Sequence, residues 1–332
     1  MREGEQVTDQ LGAGKSLSLW GRDLGWGFTT VKAETNNERK EMSQGMLAVL
    51  FSAPAVLIIA ATILVPFGLA VFLSLHKWNL KRPGRERFIG LENYVDWLTD
   101  SDFWEPLQTT FTFAIGAVLL IVAVSLLVAL LLNENFPGRG LVRALLLVPW
   151  AIPSVVNALL WKWLLNPQYG LINALWFELG IITEYQNMLG SMPSVMIWLV
   201  IAYSWIHIPL ATLLLLSGLQ TIPGDIYESA IVDGAGLWQR FRFITLPMLR
   251  PMLSIVIIFE MIFALKVFDI IFVLTAGGPA NATNVLGWQI YTETFRKLDF
   301  GAGSSIAMLL GAITLGLAIL FYVFLDKGTE PQ

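Results

Sequence analysis

The chain has 332 residues, of which 55% are hydrophobic and only 14% charged, with a formal net charge of −4 and no cysteine. A soluble globular domain carries roughly 25% charged residues, so this composition argues against an ordinary soluble enzyme. The lack of Cys excludes disulfides, thiolate nucleophiles and Cys-ligated metals, and two separated His residues offer no basis for a His-rich metal site. The negative net charge argues against a nucleic-acid partner.

Long apolar stretches dominate the chain. A helix needs about 20 mostly apolar residues to cross a membrane. Four stretches of this length carry no charged residue, and two more carry few, namely Lys162 in one and Glu260, Lys266 and Asp269 in the other. Backbone groups in lipid bond within their own segment, so we predict an all-α membrane protein with six transmembrane helices. The predicted spans are about 46–75, 111–132, 144–165, 194–216, 252–274 and 306–325.

Charge distribution predicts the orientation of these spans. Twelve of the Lys and Arg residues outside the spans fall on the side of the two termini and seven on the other side, which predicts cytoplasmic termini. The basic cluster at 77–87 runs against this trend. Pro149 and Pro153 are expected to kink the third span. The predicted organisation is a polar cytoplasmic tail (1–45), a membrane domain (46–325) and a short cytoplasmic carboxyl-terminal segment (326–332).

The loop between the fourth and fifth spans, residues 222–247, has the pattern of a helix, a turn and a second helix. Asp225 is a suitable N-cap residue, and Glu228 follows three positions later in a capping-box arrangement. Gly234 can adopt the left-handed conformation that ends a short helix. The loop is therefore predicted to form a compact helical segment on the cytoplasmic side.

The second helix of this loop is predicted to end near Ile244, with Pro247 and Pro251 at the entry to the fifth span. The first helix offers small and apolar side chains to its surroundings. Capping and pattern alone leave two alternatives open, insertion into a partner's groove and contact with the lipid surface. The side chains available for either role are Tyr227, Ala230 and Ile231.

A motif within this loop resembles the EAA loop of the membrane subunits of bacterial ABC importers. Glu228-Ser229-Ala230 is followed after three residues by Gly234, after nine more by Ile244, and after one more by Leu246-Pro247. Ser229 replaces the usual Ala with a residue of nearly equal size. The resemblance implies that the loop couples the chain to an ATPase. The implied coupling residues are Tyr227, Glu228, Ser229, Ala230, Asp233, Gly234, Ile244, Leu246 and Pro247.

Further stretches at 88–94, 102–104 and 268–283, together with Tyr291, resemble the maltose-type and glycerol-phosphate-type sugar permeases. The resemblance implies a multi-pass subunit of the bacterial cytoplasmic membrane. Its implied partners are a second permease in a heterodimer, two copies of a cytoplasmic ATPase, an extracytoplasmic solute-binding protein, the sugar and membrane lipid. It also implies that ATP and Mg are used by the ATPase, while this chain binds no cofactor.

Polar residues inside the spans are candidates for a sugar pathway, because ionisable groups are costly in lipid unless they are paired or face water. Lys266 and Asp269 are three positions apart and can meet on one helical face, whereas Glu260 falls on the opposite side of a continuous helix. They can form an ion pair between helices or bind sugar hydroxyls, and both alternatives stay open. The candidate pathway residues are Asn157, Tyr203, Trp205, His207, Glu260, Lys266 and Asp269.

No catalytic constellation is present in the sequence, since it offers no plausible Ser-His-Asp spacing and no clustered carboxylates suited to glycoside chemistry. We therefore predict a non-enzymatic chain, and the resemblance implies a permease subunit of an ATP-driven, binding-protein-dependent importer. Such a subunit forms half of a pathway that carries a mono- or disaccharide by alternating access. The alternative is an ion-coupled secondary transporter, which would explain the charges in the fifth span but not the spacing of the EAA-like motif.

Overall fold

The computed structural model describes residues 44–326. The predictions for the amino-terminal tail and for the carboxyl-terminal segment therefore fall almost entirely outside the described residues. The chain divides after Ile58 into two units. The described part of the first unit is the beginning of the first helix, and the second unit holds every other described element.

The described residues are mainly helical, with one two-stranded antiparallel hairpin. Three short segments depart from α-helical geometry, a 3-10 turn at Pro149–Ala151 and π-helical turns at Phe241–Thr245 and Thr292–Arg296. The other elements are α1 (Gln44–Ser74), β1 (His76–Lys77), β2 (Arg87–Phe88), α2 (Glu92–Thr99), α3 (Ser101–Asn133), α4 (Arg139–Leu146), α5 (Ser154–Leu164), α6 (Leu171–Glu178), α7 (Ser194–Leu219), α8 (Gly224–Val232), α9 (Leu237–Arg240), α10 (Leu246–Leu265), α11 (Asp269–Leu274), α12 (Leu286–Tyr291) and α13 (Phe300–Asp326).

Five helices among the described residues are long and apolar enough to cross a membrane, and a bent pair makes a sixth candidate. The bent pair corresponds to the predicted third span. Its halves, Arg139–Ala151 and Ser154–Leu164, meet at 94°. Pro149 and Pro153 lie at this bend, where a missing N–H and a fixed φ favour a break. The third span is therefore broken, in contrast to the single helix predicted over 144–165.

The predicted fifth span differs most from the structure. The described helix runs without interruption from Leu237 to Leu265 through α9, the π turn and α10. Pro247 and Pro251 lie inside it, so the prediction that the second helix of the loop ends near Ile244 is wrong. The helix ends at Leu265, and α11 begins at Asp269 after a short break.

Helices α3 and α7 form the centre of the core. Asp100 caps α3 by accepting a 3.0 Å hydrogen bond from the backbone N–H of Asp102. The buried face of α3 alternates large and small side chains, including Phe113 and Ala117, and small residues allow a neighbouring helix to approach closely. A Cβ atom added to Gly116 would lie 3.4 Å from the side chain of Val200 on α7.

The two ends of α3 define the two ends of the membrane domain. Its 33 residues span about 50 Å. Its amino end follows α2 and the β1–β2 hairpin, whose loop residue Asn79 donates a 2.8 Å hydrogen bond to Asp299. Its carboxyl end, at Asn133, shares a cavity with Tyr227 of α8. The hairpin and α8 therefore lie at opposite ends of the domain.

Candidate functional site

A cavity of about 360 Å³ lies between α5, α7 and the break that follows α10. Each of these elements contributes polar side chains to it. The cavity is lined by Ser154, Asn157, Tyr203, Ile206, His207, Phe263, Lys266, Val267, Phe268, Asp269 and Ile270. The structure thus brings together Asn157, Tyr203, His207, Lys266 and Asp269, five of the residues proposed from sequence.

Two residues of the lining, Asn157 and Tyr203, each carry a buried polar atom. The side-chain amide of Asn157 donates a 2.9 Å hydrogen bond to the backbone carbonyl of Ala202, which fixes its orientation. Its Oδ1 atom and the hydroxyl of Tyr203 have no hydrogen-bond partner among residues 44–326. Buried polar groups are nearly always hydrogen-bonded. An amide oxygen can accept and a phenol hydroxyl can donate, so these two lining residues carry groups suited to an uncharged hydroxyl-bearing ligand.

Glu260 reaches the cavity through His207. Its side chain is only 1% exposed, and its Oε2 lies 2.8 Å from Nδ1 of His207. The imidazole of His207 stacks on the ring of Tyr203, with centroids 4.1 Å apart. Glu260 thus orients the imidazole, which in turn packs against the ring that carries the free Tyr203 hydroxyl.

The break after α10 changes the predicted relation between Lys266 and Asp269. Lys266 ends α10 and Asp269 begins α11, so the two do not share a helical face. The ion pairs found among the described residues do not include them. Asp269 instead accepts a short hydrogen bond from Ser154 of α5. The comparison of Glu260 with Asp269 on one continuous helix is wrong for the same reason.

Trp205 is the predicted pathway residue that the structure does not bring to the cavity. It is half exposed on α7 and is absent from the cavity lining. Two positions along a helix correspond to a rotation of about 200°, so Trp205 faces away from Tyr203.

At the α8 end of the domain, the turn after α8 is built as predicted around Gly234. Its φ is +80°, and its N–H donates a 3.0 Å hydrogen bond to the carbonyl of Ile231. The N–H of Ala235 donates a 2.9 Å bond to the carbonyl of Ala230. These bonds form a Schellman motif, which requires a left-handed residue at Gly234.

The beginning of α8 differs from the prediction. Pro223 occupies the cap position, and Asp225 lies within the first turn without a side-chain capping bond. The carboxylate still stabilises the helix through its position near the amino end. A capping contact of the predicted type occurs one helix later, where the Gln239 side chain accepts a 2.8 Å hydrogen bond from the N–H of Gly236.

The implied coupling residues divide into outward-facing and inward-facing groups. Tyr227, Ala230, Ile244 and Leu246 are half-buried, and Tyr227 packs against the core rather than projecting toward a partner. Ser229 uses its hydroxyl within α8 by donating to the carbonyl of Asp225. The exposed members are Glu228, Ser229, Asp233, Gly234 and Pro247.

Large apolar side chains extend the exposed surface beyond the motif. Val232 is 87% exposed, and Leu237, Trp238 and Phe243 are also largely exposed. Exposed apolar side chains clustered at one end of a molecule are typical of a protein–protein or membrane interface. The sequence pattern pointed to the motif residues and to Ile231, and it missed Val232, Leu237, Trp238 and Phe243.

Taken together, a multi-helix membrane domain with a polar internal cavity and an exposed helical segment at one end defines a transport subunit. The comparisons with known proteins agree. The chain matches the family described as binding-protein-dependent transport system inner membrane component over residues 121–331. The protein belongs to this family of multi-pass membrane permeases. Membership favours the importer prediction over the ion-coupled alternative.

Several relatives are similar over most of their length. The trehalose/maltose transport system permease protein MalF of Thermococcus litoralis is 38% identical, covering 85% of this chain and 93% of that protein. The trehalose transport system permease protein SugA of Mycobacterium tuberculosis is 33% identical over 91% and 97% of the two chains. The sulfoquinovosyl glycerol transport system permease protein SmoG of Agrobacterium fabrum is 33% identical over 85% and 91%.

The fold is also similar to a solved structure. A chain of a bacterial alginate ABC transporter, solved in complex with an alginate pentasaccharide-bound periplasmic protein, superposes with a TM-score of 0.75. It covers 88% of this chain and 98% of that chain at 20% identity. This similarity supports the arrangement of the helices.

Proposed function

We propose that the chain is the permease subunit of an ATP-driven sugar importer and that the cavity between α5, α7 and α10 contacts the sugar. The observation that carries the proposal is the pair of unpartnered polar atoms, Asn157 Oδ1 and the Tyr203 hydroxyl, in the cavity lining. Relatives named for trehalose, maltose and sulfoquinovosyl glycerol support a sugar as cargo.

The chemistry of the lining suits a neutral sugar. A sugar hydroxyl can donate to Asn157 Oδ1 and accept from the Tyr203 hydroxyl. Phe263 and Phe268 add aromatic surface that can cover the apolar face of a pyranose ring. Asp269 and Lys266, at the break after α10, offer a further acceptor and donor.

The proposed transport cycle needs further subunits. A second permease would complete the pathway, an extracytoplasmic binding protein would deliver the sugar at the hairpin end, and two ATPase subunits would bind at the α8 end. ATP and Mg would be used in those subunits. Displacement of α8 and α9 would then switch the cavity between outward-facing and inward-facing states in the cytoplasmic membrane.

Removal of single polar groups tests the cavity. In proteoliposomes containing the whole complex, with maltose and trehalose as probes and saturating binding protein, Tyr203→Phe should slow uptake about three- to tenfold, the equivalent of one lost hydrogen bond. Asn157→Ala should slow uptake at least as much, because it also removes the bond to the carbonyl of Ala202. Ser204→Ala is the matched control, because the Ser204 hydroxyl is also buried and unpartnered but does not line the cavity.

Two outcomes contradict different parts of the proposal. Normal uptake of both sugars by Tyr203→Phe and Asn157→Ala would contradict the proposal that the cavity binds these sugars. Uptake by the chain alone, without ATP and driven by an ion gradient, would contradict the proposal that the chain belongs to an ATP-driven importer.

A further inference from the structure

Helix α8 contacts the long helix that follows it at a point distant from their connecting turn. The hydroxyl of Tyr227 lies 2.9 Å from Oγ1 of Thr245, 18 positions further along the chain. Thr245 is 5% exposed, so water has little access to this hydrogen bond. Gly234 in the connecting turn is exposed, and a Cβ atom added there would meet nothing within 4 Å. The Tyr227–Thr245 hydrogen bond is therefore a second link between α8 and the long helix, apart from the turn.

Thr245 lies in the one irregular turn between Leu237 and Leu265. The N–H of Leu246 bonds to the carbonyl of Phe241, five residues back, which makes Phe241–Thr245 a π turn. The Thr245 hydroxyl donates to the carbonyl of Arg240 at 3.4 Å, which leaves it to accept from Tyr227. Pro247 follows two residues later, and its missing N–H favours such a change of register. π turns inside α-helices often lie at functional positions.

The Tyr227–Thr245 link is not closely packed on every side. Tyr227 and Thr245 both border a cavity of about 680 Å³ that also touches Leu127 and Leu130 of α3. A closely packed interface would resist a shift of α8, because protein interiors have low compressibility. The cavity removes that resistance on one side of the link.

We infer that the Tyr227–Thr245 hydrogen bond carries displacement of α8 into α10, with the π turn Phe241–Thr245 acting as the joint. Tyr227 and Thr245 are thus positioning residues that act on the sugar cavity through α10. The inference rests on the proposed function, because it takes ATPase binding at α8 as the source of the displacement.

The test measures ATP-driven movement of α10 and needs no sugar. The chain has no native Cys, so spin labels can be placed uniquely at Ile255→Cys on α10 and Ile197→Cys on α7, both of which are exposed. In the assembled complex, ATP should shift the distance between the labels. Thr245→Val and Tyr227→Phe should each reduce the shifted population about three- to tenfold, as the loss of one buried hydrogen bond predicts. The two changes combined should have no larger effect than either alone.

Two control variants separate this link from general damage. Thr245→Ser keeps the hydroxyl and should retain the shift. Thr314→Val makes the same chemical change at a buried hydroxyl of α13 that bonds only within its own helix, and it should also retain the shift. A full shift in Thr245→Val, or no shift in the wild-type complex with its ATPase bound, overturns the inference. Failure of any ATPase to co-purify with the wild-type chain instead overturns the proposed function.

Discussion

At the scale of single residues, Glu260 shows how a carboxyl group is accommodated within an apolar helix. Its neighbours on α10 are almost all apolar, and its side chain is buried. The hydrogen bond to His207 on α7 offsets part of the cost of burial and fixes the imidazole against Tyr203. The same contact therefore joins two helices and shapes the cavity.

Removal of the carboxyl group should destabilise the protein. Glu260→Ala leaves His207 without its hydrogen-bond partner, and a buried polar group left unsatisfied costs about 1–3 kcal/mol. We expect a lower apparent melting temperature for the detergent-solubilised complex. Glu260→Gln, which keeps a hydrogen-bonding group of the same shape, should lie between the wild type and Glu260→Ala. Equal melting temperatures for all three would contradict a structural role for the pair.

The residues of the cavity could be predicted in type but not in arrangement. Polar side chains inside apolar spans are rare enough to identify Asn157, His207 and Glu260 from the sequence alone. The hydrogen-bond partners of these residues depend on how the helices pack, and residue spacing in the sequence does not predict that packing. Ser154 was missed because a Ser after a Pro at a helix start has many ordinary roles, and Trp205 was included because proximity along the chain does not specify a helix face.

At the scale of elements, short turns determine where the helices end and how they connect. The turn after α8 depends on a single left-handed residue, and a Cβ atom at Gly234 would meet nothing within 4 Å. Any penalty for a side chain at Gly234 therefore comes from the backbone and not from a clash. Left-handed conformation costs a non-glycine residue roughly 1–2 kcal/mol, and more when the side chain is β-branched.

Gly234→Val should consequently distort this turn while the membrane domain stays inserted. We expect reduced co-purification of the ATPase or loss of sugar-stimulated ATP hydrolysis. Gly234→Asn, which tolerates the left-handed region, should be closer to the wild type. Gly224→Ala is a control in the same helix, because Gly224 does not have a positive φ and has open space around it. Normal sugar-stimulated hydrolysis in Gly234→Val would count against the coupling role of the turn.

Element ends were predictable where proline or glycine marks them. The bend at Pro149 and Pro153 and the end of α8 at Gly234 follow from backbone chemistry. The break after Leu265 has no such marker, since Lys266, Val267 and Phe268 are all compatible with a helix. The continuity of the helix through Pro247 was equally hard to predict, because a proline inside a helix usually kinks or ends it.

At the scale of the whole molecule, the chain leaves apolar surface for other components to cover. None of the most apolar stretch of α1 is buried within the chain, and Leu64, Phe67 and Leu69 are each more than half exposed. Lipid or another subunit has to cover this surface. The fold described here is accordingly suited to a membrane and to assembly with further subunits.

The orientation of the whole domain can be tested with single cysteines, because the native chain has none. If the β1–β2 hairpin lies outside as predicted, a membrane-impermeant maleimide should label Arg85→Cys in intact cells, since that side chain is exposed. Gln239→Cys, exposed beside α8, should be labelled only after the membrane is permeabilised. The reverse pattern would invert the predicted orientation and place both termini outside.

The contact between His207 and Glu260 also constrains the order in which helices insert into the membrane during synthesis. The two residues are 53 positions apart, and ribosomes add roughly 5–20 residues per second, so Glu260 is synthesised roughly 3–10 s after His207. When the carboxyl group of Glu260 enters the lipid at the end of this interval, it has no partner on its own helix. Helix α7 therefore has to remain beside the insertion site until α10 arrives. The order of synthesis, with the imidazole first and the carboxyl group second, makes insertion of α10 dependent on a helix already in the bilayer.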